Sequence, residues 1–483
     1  MRSTLSLALA ATAVVATAVP AASAAAAETL TWGACPEGVA APRLECSTLE
    51  VPLDHRNPGG ERIEIAISRL KSENPAQRRG VLLTNPGGPG GEGLGYPALL
   101  ASSGLPKEVL DSYDIIGFDP RGVGRSTPVT CELTPEQQAR GAFAPYAYTP
   151  DDVTREAGYA RTIAEQCATS PTAAMLPHTT TANTARDMER IREALGEPKI
   201  SFLGASYGTY LGAVYATMFP ERGDRIVLDS NLGPGGYDVT AMRGFARGLE
   251  DRFPDFAAYA AAHPEYGLGT TPEQVTAKYF DLAERLDATP VQGVNGMAFR
   301  GLTFEYLYSD AALPALAKTW QAIETNQPVP VPLPSSTDRD SSMSSRLYVI
   351  CGDSRWPDSI RDYQRAVTVD RVKHPMLGGS TANIGPCAFW PDERTEPPVR
   401  IGNRGPSNVL LLQNERDPGT PLAGARELRR ALGQRATMVT ADQGGHGLYP
   451  WDDNQCANDA ATKFLTTGQR PARDLACAAE PGQ

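Results

Sequence analysis

The stretch KISFLGASYGTYLGAVYATMFP, residues 199–220, decides the fold class of this chain. An apolar segment with strand character, Lys199–Leu203, is followed by a helix-like segment of small residues, Tyr207–Met218. The connection between them is GASYG, residues 204–208, which has the G-x-S-x-G pattern of a sharp turn that presents a serine hydroxyl above a sheet. We therefore predict that Ser206 is a catalytic nucleophile at the end of a strand in an α/β protein.

Segments on both sides of this stretch alternate between strand and helix character. Strand-like runs occur at Ile63–Leu70, Gly80–Thr84, Tyr113–Phe118, Arg225–Asp229, Asn408–Gln413 and Thr437–Thr440, and Thr181–Leu195 has the spacing of an amphipathic helix. Strands that alternate with helices in this way predict a mostly parallel sheet covered by helices.

A helical insertion interrupts this alternation. Large apolar residues recur near helical spacing at Phe245, Leu249, Phe253, Phe256 and Tyr259, which indicates a packed core rather than a binding surface. Further along, residues 327–345 are rich in proline and serine and are predicted to form a loop. We expect a mainly helical insertion over residues 235–400, between two parts of an α/β core at 28–234 and 401–483.

The N-terminal segment predicts export. Arg2 precedes an apolar run, Leu5–Val19, and small residues follow, so residues 1–27 are predicted to be a signal peptide cleaved after Ala24 or Ala27. No segment is predicted to span a membrane. The net charge of −11 leaves no basic surface for nucleic acid.

The chain contains eight cysteines, an even number that favours disulfides in an exported protein. They form pairs that are close in sequence, and we expect the bonds Cys35–Cys46, Cys131–Cys167, Cys351–Cys387 and Cys456–Cys477. Spacing alone cannot decide the pairing, since eight cysteines allow about 105 connectivities. The absence of a C-x-x-C pattern argues against structural zinc, and we expect neither a metal nor a cofactor.

A serine nucleophile needs a base and an acid that orients the base. Of the five histidines, His446 follows the strand-like Thr437–Thr440 and lies after Ser206, which fits the order serine, acid, histidine of α/β hydrolases. Asp417 follows the apolar run that ends at Gln413, and Glu415 is its local competitor. We expect Asp417 to be the acid, because the prolines that follow it stabilise a turn.

The glycine-rich loop after Gly80–Thr84 contains a G-x-G-x-x-G pattern, which is typical of dinucleotide sites but also of other close backbone approaches. A dinucleotide site needs a helix that opens at the glycines, and we expect Tyr96-Pro97 to interrupt such a helix. In a serine hydrolase, this loop donates a backbone N–H to the oxyanion, and the residue after the nucleophile donates another. We therefore expect Gly88 and Tyr207 to form an oxyanion hole.

These motifs together resemble a known family. NPGGPGG, GFDPRGVGRSTP, GASYGTYLGAVYA, ERDPGTP and GGHG occur in the order seen in the secreted bacterial tripeptidyl aminopeptidases of the prolyl aminopeptidase family of α/β hydrolases. The similarity runs from about Thr31 to the C-terminus and is weakest in the insertion. Asn85-Pro86 replaces the histidine usual before GGPG in the cytosolic relatives, which favours the tripeptidyl branch.

The resemblance implies a secreted serine exopeptidase that releases short peptides, tripeptides above all, from free N-termini. It also implies the triad Ser206, Asp417 and His446 and an inserted cap that restricts the site to chain ends. Carboxylates of the cap would bind the substrate amine, and Glu250, Asp251 and Asp310 are the candidates. A prolyl aminopeptidase or a carboxylesterase would use the same triad, and a non-catalytic secreted binding protein on a hydrolase scaffold is the alternative of another class.

Overall fold

The computed structural model describes residues 30–140, 143–330, 339–391 and 395–480. The predicted signal peptide, residues 1–27, lies outside the described residues.

One ten-stranded sheet organises the part of the chain that is described. Its strands are β1 (Gly33–Ala34), β2 (Leu44–Pro52), β3 (Arg62–Leu70), β4 (Gly80–Asn85), β5 (Tyr113–Phe118), β6 (Ile200–Ala205), β7 (Gly223–Asp229), β8 (Val409–Arg416), β9 (Ala436–Gly444) and β10 (Leu475–Cys477). The strand order is β1-β2-β3-β5-β4-β6-β7-β8-β9-β10. The pairs β1–β2, β2–β3 and β3–β5 are antiparallel, and all the others are parallel. The predicted mostly parallel α/β sheet is confirmed.

Helices pack against the sheet. They are α1 (Tyr96–Ser102), α2 (Lys107–Ser112), α3 (Pro135–Gln138), α4 (Pro150–Thr169), α5 (Thr181–Ala194), α6 (Tyr207–Met218), α7 (Val239–Ala262), α8 (Pro272–Ala288), α9 (Gly296–Tyr306), α10 (Leu313–Glu324), α11 (Arg339–Asp353), α12 (Ile360–Lys373), α13 (Gly378–Thr381), α14 (Leu422–Leu432) and α15 (Gln455–Thr467). A long run of these helices, α7 to α13, lies between β7 and β8 along the chain. No helix among the described residues is long and apolar enough to cross a membrane.

The central strands are buried on both faces. In β4 and β5, Leu83 and Ile116 belong to one apolar cluster, whereas the adjacent Leu82 and Ile115 belong to another. Successive side chains of a strand point to opposite faces, so these two clusters are the two layers between sheet and helices. This double burial explains why the parallel strands have continuous apolar runs rather than alternation.

The insertion contains a group of packed aromatic residues, which is continuous with the apolar cluster on one face of the sheet. Phe253 and Phe256 of α7 pack against Trp320 of α10, with ring centroids 6.0 and 5.0 Å apart. Tyr279 of α8 and Phe299 of α9 complete this cluster at 5.8 and 5.2 Å from Trp320. The helical spacing in α7 therefore marks a packed core, as predicted.

Two local predictions are wrong. Of the loop predicted at 327–345, residues 331–338 lie outside the described residues, and residues 339–345 belong to α11. Ser344 and Ser345 are fully buried there, and Ser344 Oγ accepts a hydrogen bond from Cys131 N at 2.8 Å. Tertiary contacts of this kind override a weak local preference. Tyr96-Pro97 does not interrupt a helix but begins α1, because a proline in the first turn loses no intrahelical hydrogen bond.

The helix α4 packs against the insertion, although it lies within residues 28–234, the predicted first part of the core. Val153 and Ala157 of α4 share an apolar cluster with Tyr363 and Val367 of α12. The Cys131–Cys167 disulfide ties the end of this helix to the segment before it. The insertion is therefore flanked by a helix that comes from between β5 and β6.

The four disulfides are those expected from sequence proximity. They join Cys35 to Cys46, Cys131 to Cys167, Cys351 to Cys387 and Cys456 to Cys477. Among the residues described, no group of three or more His, Cys, Asp or Glu side chains could hold a metal ion.

Candidate active site

Ser206 occupies the turn between β6 and α6. Its backbone has φ +57° and ψ −124°, a combination that costs a non-glycine residue free energy and is typical of functional sites. A Cβ at Gly208 would lie 2.7 Å from the carbonyl oxygen of Asn85, and one at Gly204 would clash with Gly208. The two glycines therefore allow the sharp turn, and the half-buried Ser206 keeps contact with solvent.

His446 and Asp417 form a hydrogen-bonded pair at the carboxyl ends of β9 and β8. The imidazole Nδ1 lies 2.9 Å from Asp417 Oδ1 and 3.0 Å from Oδ2. A carboxylate only accepts hydrogen bonds, so Nδ1 donates and Nε2 is left to accept a proton. The structure thus brings Asp417, rather than Glu415, against His446.

The carboxylate of Asp417 is oriented by its own turn. The backbone N–H groups of Gly419 and Thr420 donate to Oδ1, both at 2.8 Å, and the Thr420 hydroxyl donates to Oδ2 at 2.8 Å. The side chain is almost fully buried. These donors hold both oxygens towards the imidazole, which suits a group that orients a base.

The electrostatics of the pair favour a protonated imidazole. Burial lowers the pKa of His446, but the charge of Asp417, its hydrogen bond and the charge of Asp229 outweigh burial and raise the pKa overall. The imidazolium that forms when His446 accepts a proton is therefore stabilised, which is the property that a general base in acyl transfer needs.

A tyrosine of the insertion contacts the histidine. The rings of Tyr308 and His446 lie 4.5 Å apart between centroids. The carbonyl oxygen of Tyr308 accepts a hydrogen bond from His446 N at 2.8 Å. Tyr308 follows α9, so this contact ties the histidine loop to the insertion.

The glycine-rich loop after β4 packs against the start of α6. A Cβ at Gly87, which has φ +96°, would lie 2.9 Å from Ser206 Cβ and 3.0 Å from Tyr207 N. Only a glycine allows this close approach. Tyr207 is the first residue of α6, so its backbone N–H has no partner within the helix and lies at the positive end of the helix dipole. Gly88, which has φ +113°, follows in the same loop.

Residues of the insertion and its border complete the surroundings of Ser206. Arg346 of α11 donates to the carbonyl oxygen of Gly88 at 3.0 Å, and its guanidinium lies 5.4 Å from the ring centre of Tyr237. Burial raises the pKa of Tyr237, while the charge of Arg346 and a hydrogen bond with Ser206 oppose the rise. Sequence reasoning missed both residues, because neither lies in a motif and neither is near Ser206 along the chain.

The three carboxylates predicted to bind an amine lie elsewhere. Glu250 Oε2 is 2.7 Å from His374 Nδ1, Asp251 pairs with Arg247 at 3.2 Å, and Asp310 pairs with Arg252. None of the three lines the large cavity that adjoins the glycine-rich loop. Each has a local ionic or hydrogen-bond partner in its own part of the insertion.

A cavity of about 760 Å³ adjoins the glycine-rich loop. Its lining includes Gly90 and Gly91 of that loop, Arg346, and the carboxylate side chains of Glu92, Glu156 and Glu305. Glu156 pairs with Arg140 at 2.7 Å. Sequence reasoning could have noted Glu92, since it belongs to the glycine motif, but nothing local distinguished Glu305.

The chain is similar in sequence to known peptidases and to a carboxylesterase. Residues 374–477 match a family described as TAP-like protein. The chain is 35% identical to a tripeptidyl aminopeptidase of Streptomyces lividans, over 94% of this chain and 87% of that protein. It is 28% identical to the serine protease Hip1 of Mycobacterium tuberculosis, over 89% and 87% of the two chains. It is also 30% identical to carboxylesterase B of the same species, over 93% and 90%.

The match to the Streptomyces lividans protein covers 94% of the chain, so it includes both parts of the core and the insertion. The similarity is therefore not restricted to one domain. The sheet order and the strained serine turn agree with it. The chain belongs to the tripeptidyl aminopeptidase family of α/β hydrolases, and it is a serine hydrolase.

Proposed function

We propose that the protein is an exported serine aminopeptidase that releases short peptides, tripeptides above all, from free N-termini. The observation that carries the proposal is the hydrogen-bonded Asp417–His446 pair at the same sheet edge as the strained Ser206, beside a cavity lined by carboxylates. The names of the relatives, a tripeptidyl aminopeptidase and a serine protease, support peptide substrates. Four disulfides between cysteines close in sequence support export.

The proposed reaction proceeds through an acyl-enzyme. His446 Nε2 takes the proton of Ser206 as Oγ bonds to the scissile carbonyl carbon, and Asp417 orients the imidazole and stabilises its charge. The N–H groups of Gly88 and Tyr207 hold the oxyanion. Collapse of the tetrahedral intermediate breaks the C–N bond, and the leaving amine takes the proton from His446. Water then repeats these steps on the ester and releases the peptide.

Glu92 and Glu305 are the proposed ligands of the substrate's α-ammonium. Both line the cavity beside the glycine-rich loop, one from that loop and one from α9. An ammonium that leaves water needs a charged partner, and carboxylates supply both charge and hydrogen-bond acceptors. These two residues replace Glu250, Asp251 and Asp310 in the proposal, because those three lie outside the lining of the cavity.

The decisive assay compares a tripeptidyl p-nitroanilide with its N-acetylated form. We expect acetylation to lower kcat/KM by about 10²-fold or more, since it removes the charge that the carboxylates recognise. Prolyl p-nitroanilide should be a poorer substrate than the tripeptide. Equal turnover of the free and acetylated peptides would contradict the aminopeptidase assignment. The Ser206→Ala variant, expected to lose about 10⁶-fold in kcat, reports background activity.

Two glutamine variants test the amine site. Glu305→Gln and Glu92→Gln should each raise KM for the free tripeptide by about 10-fold or more, because a charge-assisted hydrogen bond is lost. Turnover of a p-nitrophenyl ester, which has no amine, should stay the same. Glu250→Gln is the matched control from the insertion, with no expected effect on either substrate. An unchanged KM in both cavity variants would exclude these residues as amine ligands.

A carboxylesterase is the second candidate, favoured by the 30% identity to carboxylesterase B. It would use the same triad on an ester, so ester turnover alone cannot separate the two. A kcat/KM for simple esters far above that for any free peptide would support it. Labelling of Ser206 by a fluorophosphonate is expected under both, and its absence would favour the non-catalytic binding protein.

A further inference from the structure

Asp229 is a buried carboxylate that the proposed reaction does not use. It is the last residue of β7, which lies between β6 and β8 in the sheet, and its exposure is 0%. A carboxylate withdrawn from water costs free energy unless its oxygens are paired. Its hydrogen bonds therefore indicate what it is for.

The backbone of Asp229 holds the nucleophile turn. Its carbonyl oxygen accepts a hydrogen bond from Ser206 N at 2.9 Å. Because Ser206 has a strained backbone, its conformation depends on contacts of this kind from neighbouring segments.

The side chain of Asp229 holds the histidine loop. Oδ2 accepts from the backbone N–H groups of Leu448 and Tyr449, both at 2.8 Å. The next residue, Ser230, accepts from Gly447 N at 2.8 Å through its hydroxyl. Three consecutive N–H groups directly after His446 are thus bound by two consecutive residues at the end of β7.

We propose that Asp229 is a positioning residue for acyl transfer, which fastens the His446 loop to the Ser206 turn and, when ionised, adds a negative charge that acts on His446. One residue links the two segments, which enter the site from different strands. The inference rests on the proposed roles of Ser206 and His446, but not on the choice between peptide and ester substrates.

The charged surroundings agree with this role. The groups that face Asp229 are His446, Asp417 and the phenol of Tyr96. Burial raises the pKa of Asp229 to about 7, while the N–H groups of Tyr449 and Leu448 and the charge of His446 oppose the rise. The charge of Asp229 in turn raises the pKa of His446. The charge of each group therefore affects the protonation of the other.

Two substitutions separate hydrogen bonding from charge. Asp229→Ala removes the acceptor for both N–H groups, and we expect kcat to fall by about 10²-fold with KM nearly unchanged, as a small misplacement of a catalytic group does. Asp229→Asn keeps an acceptor oxygen but loses the charge. We expect it to retain most of kcat at pH 8 and to move the midpoint of the acid limb of kcat/KM to lower pH.

The control is Asp187→Asn. Asp187 is also fully buried, and its partners are His55 and Arg121 rather than the histidine loop. This variant should lose stability but keep the wild-type acid limb. Wild-type kcat in Asp229→Ala, or an acid limb in Asp229→Asn identical to that of wild type, would overturn the proposal. If Asp229→Ala does not fold, the pH profile of Asp229→Asn decides alone.

The measurements use a p-nitrophenyl ester as well as the tripeptide. Activity retained in Ser206→Ala would refute the proposed site, whatever Asp229 does. An inactive Ser206→Ala together with unaffected Asp229 variants would refute only the positioning role. The two failures are therefore distinguishable.

Discussion

Ser206 has a backbone conformation that serine rarely adopts, and the residues around it are suited to that conformation. Gly87 and Gly208 allow other segments to approach within contact distance, and the carbonyl of Asp229 binds the Ser206 N–H. Strain of this kind persists only where the surrounding structure holds it. At the residue scale, the site is therefore a set of close backbone approaches as much as a set of reactive side chains.

The pH dependence of activity should follow His446. A protonated imidazole cannot accept the Ser206 proton, and the pKa of His446 is raised above its ordinary value of 6.5. Activity is therefore lost as pH falls through that raised pKa, and we expect the acid limb of kcat/KM to have its midpoint above pH 6.5. A midpoint at or below that value would contradict the pairing with Asp417.

Asp417→Asn tests the same pair. The variant should lower kcat by about 10⁴-fold, because an amide cannot hold the imidazole in the tautomer with Nδ1 protonated. Steady-state kinetics at several pH values on both sides of neutrality measure the loss. Glu415→Gln is the matched control, and it should behave as the wild type does.

At the scale of elements, α11 of the insertion contacts the glycine-rich loop directly and is linked to Tyr207 through Thr181. Arg346 donates to Gly88 O, and a Cβ at Gly90 would lie 2.7 Å from Ser342 O. At the end of the helix, Asp353 Oδ1 accepts from Thr181 N at 2.9 Å. The Thr181 hydroxyl lies 2.5 Å from the Tyr207 hydroxyl. A helix of the insertion therefore supports the glycine-rich loop and, through Thr181, the start of α6.

Arg346→Met should weaken this support. We expect kcat to fall by about 10- to 100-fold, no more than the loss of one oxyanion donor would cause, because Gly88 loses a partner that holds it. Arg346→Lys, which can still donate one hydrogen bond, should recover part of the loss. Arg365→Met, at an exposed position of α12, is the control. A wild-type kcat in Arg346→Met would show that the glycine-rich loop needs no support from the insertion.

At the scale of the whole molecule, the two parts of the core meet in one sheet across a long insertion. β7 and β8 are adjacent and parallel, with Asp229 opposite Leu412, although the insertion separates them in sequence. Disulfides join segments that are close in sequence within this arrangement. Cys131 and Cys167 are both fully buried, and they close a segment of 36 residues next to the insertion.

Removal of that disulfide should destabilise the protein measurably. The double variant Cys131→Ala with Cys167→Ala should lower the free energy of unfolding by about 3–4 kcal/mol, from the lost constraint on the unfolded chain. Urea unfolding followed by circular dichroism measures the change. Removing Cys35–Cys46, which closes a segment of only 11 residues, should cost less. A larger cost for the shorter segment would contradict the loop-length argument.

Much of the core could be predicted, because its elements are encoded locally. Tyr207–Met218 is helical with the predicted bounds, and the strand predicted at Lys199–Leu203 extends over Ile200–Ala205. Prediction failed in α11, whose serine-rich start is helical because buried contacts outweigh its local preference. The order of serine, acid and histidine could be predicted from the sequence, because each of these residues follows a strand that is itself recognisable in the sequence.

The amino-acid sequence alone specified the sheet class, the order of the three proposed catalytic residues and the glycines that a sharp turn requires, since these depend on neighbours along the chain. Folding decided the rest. Folding places Glu92 and Glu305, but not Glu250, in the lining of the cavity. It also brings the Ser206 turn and the His446 loop together through hydrogen bonds to Asp229. Such contacts join residues that are far apart in sequence, so no local pattern records them.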